Sequence, residues 1–264
     1  MLKSLYPALS YLSYLRKRKS PHGIHSPFVF EFATNVLSDK KKYKDYSVIN
    51  KVLRNTFKNR NLIETVDFGA AAGGKAFSTY RARVCELAKK RSHPIKYNYL
   101  LYRIVKHFNP TTILEFGTST GFSTISLALG NPQSKIITIE GCSSIATVAQ
   151  SSFDLHKLEN IDMVLGDFNN VLLKTLQGFE KLDLVFFDGN HRKLATLNYF
   201  QQCLTKATPE SIFIFDDIHW SKEMEEAWKI IKSTDEVSLS IDVFQFGIIF
   251  FRKGIEKQHF ILTM

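Results

Sequence analysis

The sequence predicts an α/β fold: a doubly wound, mostly parallel sheet that follows a mainly helical N-terminal extension. Five apolar, strand-like runs alternate with helical patterns between residues 111 and 233, and alternation of this kind is typical of a parallel sheet. Two further apolar runs within 237–253 have no room for a helix between them, which indicates an antiparallel pair. We therefore expect a seven-stranded sheet with an antiparallel last strand, in a domain of residues 110–264 that follows an extension of residues 1–109.

Each parallel strand is predicted from a short apolar run that ends in turn residues and leads into a helical apolar period. Such strand–helix–strand connections are right-handed, which places the carboxyl ends of the strands at one edge of the sheet. The strands are expected at TTILEFG (111–117), KIITIE (135–140), IDMVLGD (161–167), LDLVFFD (182–188) and SIFIFDD (211–217).

Composition and cysteine usage limit the class of protein. With 264 residues, 44% of them apolar, the chain is long enough to bury a sizeable core. Cys85, Cys142 and Cys203 lack the spacing of a disulfide framework or a metal site, which fits a reducing compartment. No run approaches the roughly 18 apolar residues of a membrane span, and the first charge run follows rather than precedes the apolar residues. We expect a cytoplasmic protein without a membrane span.

Charge is distributed unevenly along the chain. Residues 1–110 carry 22 Lys and Arg against 6 Asp and Glu, a balance of +16, whereas the remainder has a balance of −6. A basic region of this kind could contact nucleic acid, an anionic membrane face or an acidic substrate. A solvated helical surface explains it equally well, because no aromatic side chains are interleaved for base stacking. The sequence leaves both interpretations open.

The first 32 residues contain two noticeable patterns. Leu2, Leu5, Leu9, Leu12 and Leu15 recur at helical spacing, so the "RKRK" that follows is expected to end an amphipathic helix. Core packing or a dimer contact suits that helix better than membrane insertion. The stretch "SPHGIHSPFVFEF" (20–32) is predicted to be a structural turn before a helix, with its two histidines as less favoured substrate contacts.

Two glycine stretches compete as the cofactor turn. A glycine turn binds a nucleotide-like cofactor when it joins a strand to a helix and when the next strand ends in an acidic residue. "EFGTSTGFS" (115–123) meets these conditions, because Glu140 ends the next strand. "DFGAAAGG" (67–74) precedes a basic helix with no such strand, so we interpret it as a lid-like or packing turn. The predicted cofactor residues of the chosen turn are Glu115, Gly117, Thr118, Ser119 and Gly121, with Glu140 on the ribose.

These motifs resemble those of class I S-adenosylmethionine (SAM)-dependent methyltransferases, and the resemblance covers residues 111–252. "EFGTSTGFSTISLA" is most similar to the branch that contains catechol O-methyltransferase. The whole chain is also similar to uncharacterised bacterial methyltransferases with an N-terminal extension. The resemblance implies a Rossmann-like fold with SAM as cofactor, the glycine turn against its methionine part, and Asp167 near its adenine.

Acidic residues end the fourth and fifth predicted strands. Asp188 in "FFDGNHR" and the pair Asp216 and Asp217 in "IFDDIHW" should converge at the sheet edge as an oxygen-rich site for Mg²⁺ or a similar cation. Asp188 is also a candidate for cofactor contact. The alternative is that these carboxylates only accept backbone hydrogen bonds or contact SAM without a metal.

His191, three residues after the strand-four acid, is the candidate catalytic residue. It is expected to take the proton from a substrate hydroxyl whose proton affinity the cation lowers. The Asp-x-x-His spacing and the paired acids depart from the catechol branch and resemble the metal-dependent sugar O-methyltransferases, in which this His is a general base. His219 is expected to be a pocket wall or hydrogen-bond partner, and Trp220 a packing or cavity residue.

The predicted function is O-methylation of a hydroxylated small molecule. A nucleic-acid methyltransferase is a second possibility because of the basic N-terminal part, although "DGNH" stands where base-amino methyltransferases have "[DN]PP[YF]". A non-catalytic SAM-binding protein is a third, against which the intact acidic cluster argues. A homodimer is also possible.

Overall fold

The computed structural model describes residues 5–20, 24–67 and 78–264 of the chain. These residues fall into two compact units, one formed by Met1–Asp39 together with Thr175–Met264 and the other by Lys40–Lys174. We call them the discontinuous unit and the central unit. The glycine turn lies in the central unit, and the predicted acidic cluster lies in the discontinuous unit.

The secondary structure follows the predicted alternation of strands and helices from residue 95 onward. The helices are α1 (Leu5–Lys17), α2 (Pro27–Phe32, continued by a π-helical turn over Ala33–Leu37), α3 (Tyr46–Thr56), α4 (Val84–Arg91), α5 (Ile95–Phe108), α6 (Phe122–Gly130), α7 (Ser143–Leu155), α8 (Phe168–Gln177), α9 (Lys193–Leu204) and α10 (Lys222–Ser233). The strands are β1 (Leu62–Asp67), β2 (Ser78–Arg83), β3 (Thr112–Phe116), β4 (Lys135–Glu140), β5 (Ile161–Leu165), β6 (Leu182–Phe187), β7 (Ala207–Asp216), β8 (Leu239–Asp242), β9 (Phe246–Phe250) and β10 (Gln258–Ile261).

The central unit is built on three parallel strands in the order β3-β4-β5. β3 and β4 are buried along nearly their whole length, which is why they read as continuous apolar runs in the sequence. Helix α5 ends at Asn109, which adopts the left-handed conformation that commonly closes a helix. The register places Glu115 beside Thr138 and Glu140 beside Leu165.

An antiparallel hairpin of β1 and β2 belongs to the same unit. Its inner face packs against the start of α7, where Cys142 and Ile145 form a small core with Leu87 of α4. These two strands were not predicted from the sequence. The stretch Asp67–Gly74 that we interpreted as a lid-like or packing turn lies almost wholly outside the described residues, and the same holds for His22.

The discontinuous unit contains five strands in the order β10-β8-β9-β7-β6. β6 and β7 are parallel, and β9 runs antiparallel to both β7 and β8, as predicted for the terminal pair. β10 adds a parallel strand to β8 that the sequence did not predict. Helix α1 is joined to this end of the chain, because the Tyr14 hydroxyl donates a hydrogen bond of 2.6 Å to the carbonyl of Leu262.

The segment after α1 is tied to the same strand by its backbone. Lys19 donates through its N–H to the Ile261 carbonyl at 2.8 Å and accepts at its own carbonyl from the Thr263 N–H at 3.2 Å. Three of the leucines that suggested an amphipathic helix are more than half exposed: Leu5, Leu9 and Leu12. Core packing is therefore the wrong interpretation for these three side chains, and Tyr14 is the buried residue of the helix.

The predicted fold class is confirmed: the chain is α/β, with mostly parallel strands and an N-terminal part that is mainly helical. The expectation of seven strands with an antiparallel last strand needs a correction, because β10 is an eighth strand, parallel to β8, and the antiparallel strand is β9. The division between residues 109 and 110 stays a prediction. Within the described ranges, no helix combines the length and the apolar character needed to cross a membrane.

Candidate active site

The glycine turn between β3 and α6 has the backbone conformation that its sequence predicts. Gly117 and Gly121 have φ values of 90° and 85°, in the left-handed region that favours glycine, and Ser119 has a φ of 47°. The turn is fastened to the neighbouring strand, because the Gly117 N–H donates to the carbonyl of Ile139 at 3.0 Å. The loop therefore begins α6 with its backbone held in a fixed position.

Gly121 is also required by packing. A β-carbon at this position would lie 2.8 Å from Cε1 of Phe153, which is buried in α7. Any side chain there would push the start of α6 away from α7. Helix packing and backbone conformation thus explain Gly121. The prediction that a ligand approaches the backbone of the turn closely therefore concerns Gly117.

Glu140 lies at the end of β4 and is fixed by backbone donors. Its Oε2 accepts from the Ser119 N–H and its Oε1 from the Cys142 N–H, both at 2.9 Å. Burial raises the pKa of Glu140, and the two backbone hydrogen bonds oppose that rise. A carboxylate oxygen can accept more than one hydrogen bond, so both oxygens retain capacity for hydroxyl donors such as those of a ribose.

Glu115 lies fully buried in β3, two residues before Gly117 of the turn. Its Oε2 accepts hydrogen bonds from the hydroxyls of Thr124 at 2.5 Å and Thr138 at 2.7 Å. Its Oε1 is buried and has no hydrogen-bond partner among the described residues. Burial raises the pKa of Glu115 to about 7, against the opposing effect of the threonine hydroxyls. This carboxyl group supports the turn by joining β3, β4 and α6.

Thr118 and Asp167 also have local roles. The Thr118 hydroxyl is buried and lies 2.7 Å from the hydroxyl of Thr138, so it points into the protein. Asp167 follows β5, and its Oδ1 accepts from the Asn169 N–H at 2.8 Å at the start of α8. Contact of either residue with a cofactor stays a prediction, as do the cofactor contacts of the other turn residues.

The acidic cluster that was predicted from the strand ends forms in the discontinuous unit. Single ligand atoms of Asp188, His191 and Asp216 all lie within 4.8 Å of one another. His191 Nε2 is 3.7 Å from Asp188 Oδ1 and 3.8 Å from Asp217 Oδ2. Asp216 is almost fully buried, whereas the side chains of Asp188, Asp217 and His191 are about a quarter exposed. Two carboxylates and an imidazole at this spacing match the oxygen and nitrogen ligands of a divalent cation.

Gln245 is a member of the cluster that the sequence reasoning missed. Its Nε2 donates to Asp216 Oδ1 at 2.9 Å and to Asp217 Oδ1 at 2.5 Å, so one amide links the two neighbouring carboxylates. The residue lies in the turn between β8 and β9, next to Phe246, which pairs with Asp216. The sequence signal for Gln245 was a polar residue at the turn between the predicted antiparallel strands. Its place in the cluster follows from the register of β9 on β7, which the sequence alone does not reveal.

His219 and Trp220 lie outside this cluster. His219 Nε2 is 2.8 Å from Asp242 Oδ2, and the imidazole stacks on Phe244 with ring centroids 5.4 Å apart. The expectation of a hydrogen-bond partner is therefore confirmed for His219. Trp220 is 57% exposed, which rules out the interpretation that it packs under the loop. His25, the described histidine of the N-terminal turn, is exposed.

Residues 114–218 match the family described as "Methyltransferase domain". Among solved structures, an O-methyltransferase from Bacillus cereus in complex with SAH is 20% identical, with a TM-score of 0.54, over 84% of this chain and 96% of that chain. The O-methyltransferase TomG from Streptomyces achromogenes, involved in tomaymycin synthesis and solved with SAM, is 21% identical, with a TM-score of 0.53, over 61% and 82%. The SAH-bound methyltransferase PaMTH1 from Podospora anserina is 15% identical, with a TM-score of 0.55, over 81% and 99%.

The predicted resemblance is confirmed by these comparisons. The chain has the fold of these SAM- and SAH-bound O-methyltransferases, and its residues 114–218 match the methyltransferase-domain family.

Proposed function

We propose that this protein transfers the methyl group of SAM to a hydroxyl oxygen of a small molecule, with help from a divalent cation. The transfer of a methyl group is supported by the methyltransferase domain match together with the glycine turn. The assignment to oxygen is supported by the acidic cluster, where His191 lies beside three carboxylates. The acidic cluster is the observation that supports oxygen, rather than another atom, as the methyl acceptor.

The central unit fits SAM. Gly117 offers a backbone without a side chain, and Glu140 offers two carboxylate oxygens that the Ser119 and Cys142 amides already hold in place. Because these donors are backbone groups, the carboxylate stays oriented whether or not a cofactor binds. Glu140 would receive the ribose hydroxyls, and the turn would lie against the methionine part of the cofactor.

The discontinuous unit fits a hard divalent cation. Asp188, Asp216 and Asp217 would hold the cation. Ligand atoms of Asp188 and Asp216 lie within 4.8 Å of each other, and Gln245 links the Asp216 and Asp217 carboxylates by hydrogen bonds. A bound cation supplies positive charge that lowers the proton affinity of a nearby hydroxyl. The acidic residues differ in burial, with Asp216 at 1% exposure, so the cluster opens toward solvent on the side of Asp188 and His191.

His191 is the proposed general base. Its Nε2 lies 3.7 Å from Asp188 Oδ1 and 3.8 Å from Asp217 Oδ2, so it stands beside the carboxylates that would hold the cation. The proton of the acceptor hydroxyl would pass to Nε2, and the oxygen would then attack the methyl carbon while the C–S bond breaks. The products are the methyl ether, the demethylated cofactor and a proton on His191.

The proposal is tested with labelled SAM and a panel of hydroxylated metabolites, with and without a chelator. Asp216→Asn keeps the shape of the side chain and the acceptor for Gln245, yet removes the charge, and should abolish turnover while SAM binding by calorimetry is retained. Asp235→Asn, at an exposed position of the same unit, is the matched control. Full activity of Asp216→Asn in the presence of chelator would refute the role of a cation.

Four further points remain predictions. The acceptor is a small molecule, and the compartment is cytoplasmic. Nucleic acid as the acceptor finds its support only in the basic balance of residues 1–110. A homodimer is the remaining alternative for the exposed leucines of α1.

A further inference from the structure

A basic cavity lies in the central unit, outside the residues assigned above. It has a volume of about 570 Å³, which falls in the range of small-molecule sites. Its walls come from the end of α3, from the loop that follows it and from the first turns of α4. The lining residues are Phe57, Lys58, Arg60, Arg83, Cys85, Glu86 and Lys89.

The cavity carries an excess of positive charge that its own residues do not neutralise. Glu86 is the one acidic residue of the lining, and it is engaged by Arg83, whose Nη1 lies 3.3 Å from Glu86 Oε1. The other three cations, Lys58, Arg60 and Lys89, form no side-chain hydrogen bond or ion pair within the described ranges 5–20, 24–67 and 78–264. Three positive charges therefore face one volume whose described lining has no carboxylate besides Glu86.

The backbone that carries these cations is fixed. The loop after α3 is tied to the start of α4, because the Cys85 N–H donates to the Asn59 carbonyl at 2.8 Å and the Val84 N–H to the Asn61 carbonyl at 3.0 Å. The Asn59 side chain accepts from the Asn61 N–H at 2.9 Å and closes the loop. The side chains of Lys58, Arg60 and Lys89 are exposed, but their backbone is already in place, so ordering them around a ligand costs less entropy than on an unfixed segment.

The cavity also adjoins the glycine turn. Phe57 lines the cavity, and its ring meets the ring of Phe122 edge to face, with centroids 5.9 Å apart. Phe122 is the first residue of α6 and directly follows Gly121 of the turn. A ligand in the cavity would therefore lie beside the helix that begins at the cofactor turn.

We propose that this cavity binds the phosphate group of a phosphorylated small molecule. A phosphate monoester carries close to two negative charges at neutral pH, and Arg60 with two lysines supplies the fork and the point charges that such a group attracts. The volume suits a group the size of a sugar phosphate, whereas a nucleic acid would require a basic track rather than a cavity.

Calorimetry with ribose 5-phosphate, ribose and inorganic phosphate as probes tests the proposal. We expect binding of both phosphate probes and none of ribose. Lys58→Gln/Lys89→Gln should weaken binding of ribose 5-phosphate by about tenfold or more, because two of the three unpaired cations are lost. Lys51→Gln/Lys90→Gln is the control: it removes the same charge from exposed positions of the same unit that do not line the cavity, and it should change affinity by less than about twofold.

The possible outcomes separate this proposal from its alternatives. Equal weakening by the two double variants, or no phosphate-dependent binding, would overturn it. A 20-nucleotide single strand that binds more tightly, with a steep salt dependence and equal weakening in both variants, would point instead to a nucleic-acid surface and would also overturn it.

The same samples are titrated with SAM. Phosphate binding without SAM binding would refute the proposed function and leave the cavity assignment intact, whereas SAM binding without phosphate binding would refute the cavity alone.

Discussion

The buried carboxyl group of Glu115 makes the stability of the central unit depend on pH in a defined direction. Burial raises its pKa from the ordinary value of 4.5 to about 7. The folded state therefore holds the proton more tightly than the unfolded state, so the stabilisation is complete below pH 4.5 and is lost as the pH rises through 7. A shift of this size corresponds to about 3 kcal/mol, since each pKa unit is worth about 1.4 kcal/mol.

Glu115→Gln removes the titration while keeping an oxygen for the hydroxyls of Thr124 and Thr138. The free energy of unfolding of the variant, relative to the parent protein, should rise by about 2 to 3 kcal/mol between pH 5 and pH 8. Glu140 titrates in both proteins, so its contribution cancels in the difference.

The assay is urea unfolding at several pH values between 5 and 8. Circular dichroism is the signal of choice, because both tryptophans, Trp220 and Trp228, lie in the discontinuous unit and do not report on the central unit. Glu159→Gln is the matched control, an exposed glutamate of the central unit whose replacement should leave the pH dependence unchanged. A difference between Glu115→Gln and the parent protein that stays flat across this range would refute the reasoning.

Three further predictions concern binding and turnover. Gly117→Val should weaken SAM binding in calorimetry by at least about tenfold, because φ is 90° and a side chain would occupy the approach to the turn; equal weakening by Gly73→Val would mean that the wrong glycine stretch was chosen. His191→Ala should lower the turnover number by roughly 10²- to 10⁴-fold, with a smaller loss for acceptors that are already acidic, and an unchanged rate would exclude it as the base. Gln245→Ala should raise the Mg²⁺ concentration needed for half-maximal activity by about tenfold without changing SAM affinity, whereas Gln245→Glu should not restore it; an unchanged Mg²⁺ requirement would show that the two carboxylates need no amide between them.

The sequence was sufficient where the fold is determined by local periodicity. The strand ends at Glu115, Glu140 and Asp216 lie within one residue or two of the expected positions, because apolar runs and turn residues set those limits. The convergence of Asp188 with Asp216 was also predictable, since neighbouring parallel strands bring their carboxyl ends to one edge. The local signals and the tertiary fold agree along this part of the chain.

The features that escaped prediction depend on contacts between residues far apart in the sequence. Gln245 joins the acidic cluster only through the register of β9 on β7, which pairs Phe246 with Asp216. The sequence of β10 is short and mixes polar with apolar residues, so it forms a strand because it pairs with β8 and not because of its own pattern. The exposure of Leu9 in α1 also escaped prediction, because a helical apolar period does not reveal which other element, if any, covers the apolar face.

The hydrogen bonds between Lys19 and the strand that ends at Ile261 have a consequence for synthesis on the ribosome. About 240 residues separate the two partners in the chain, so at roughly 5 to 20 residues per second the first helix waits on the order of 10 to 50 s for the strand it binds. The central unit is continuous in sequence and can fold during that interval. Until that strand has been made, the Tyr14 hydroxyl lacks its acceptor at Leu262, so the docking of α1 is a late step of folding.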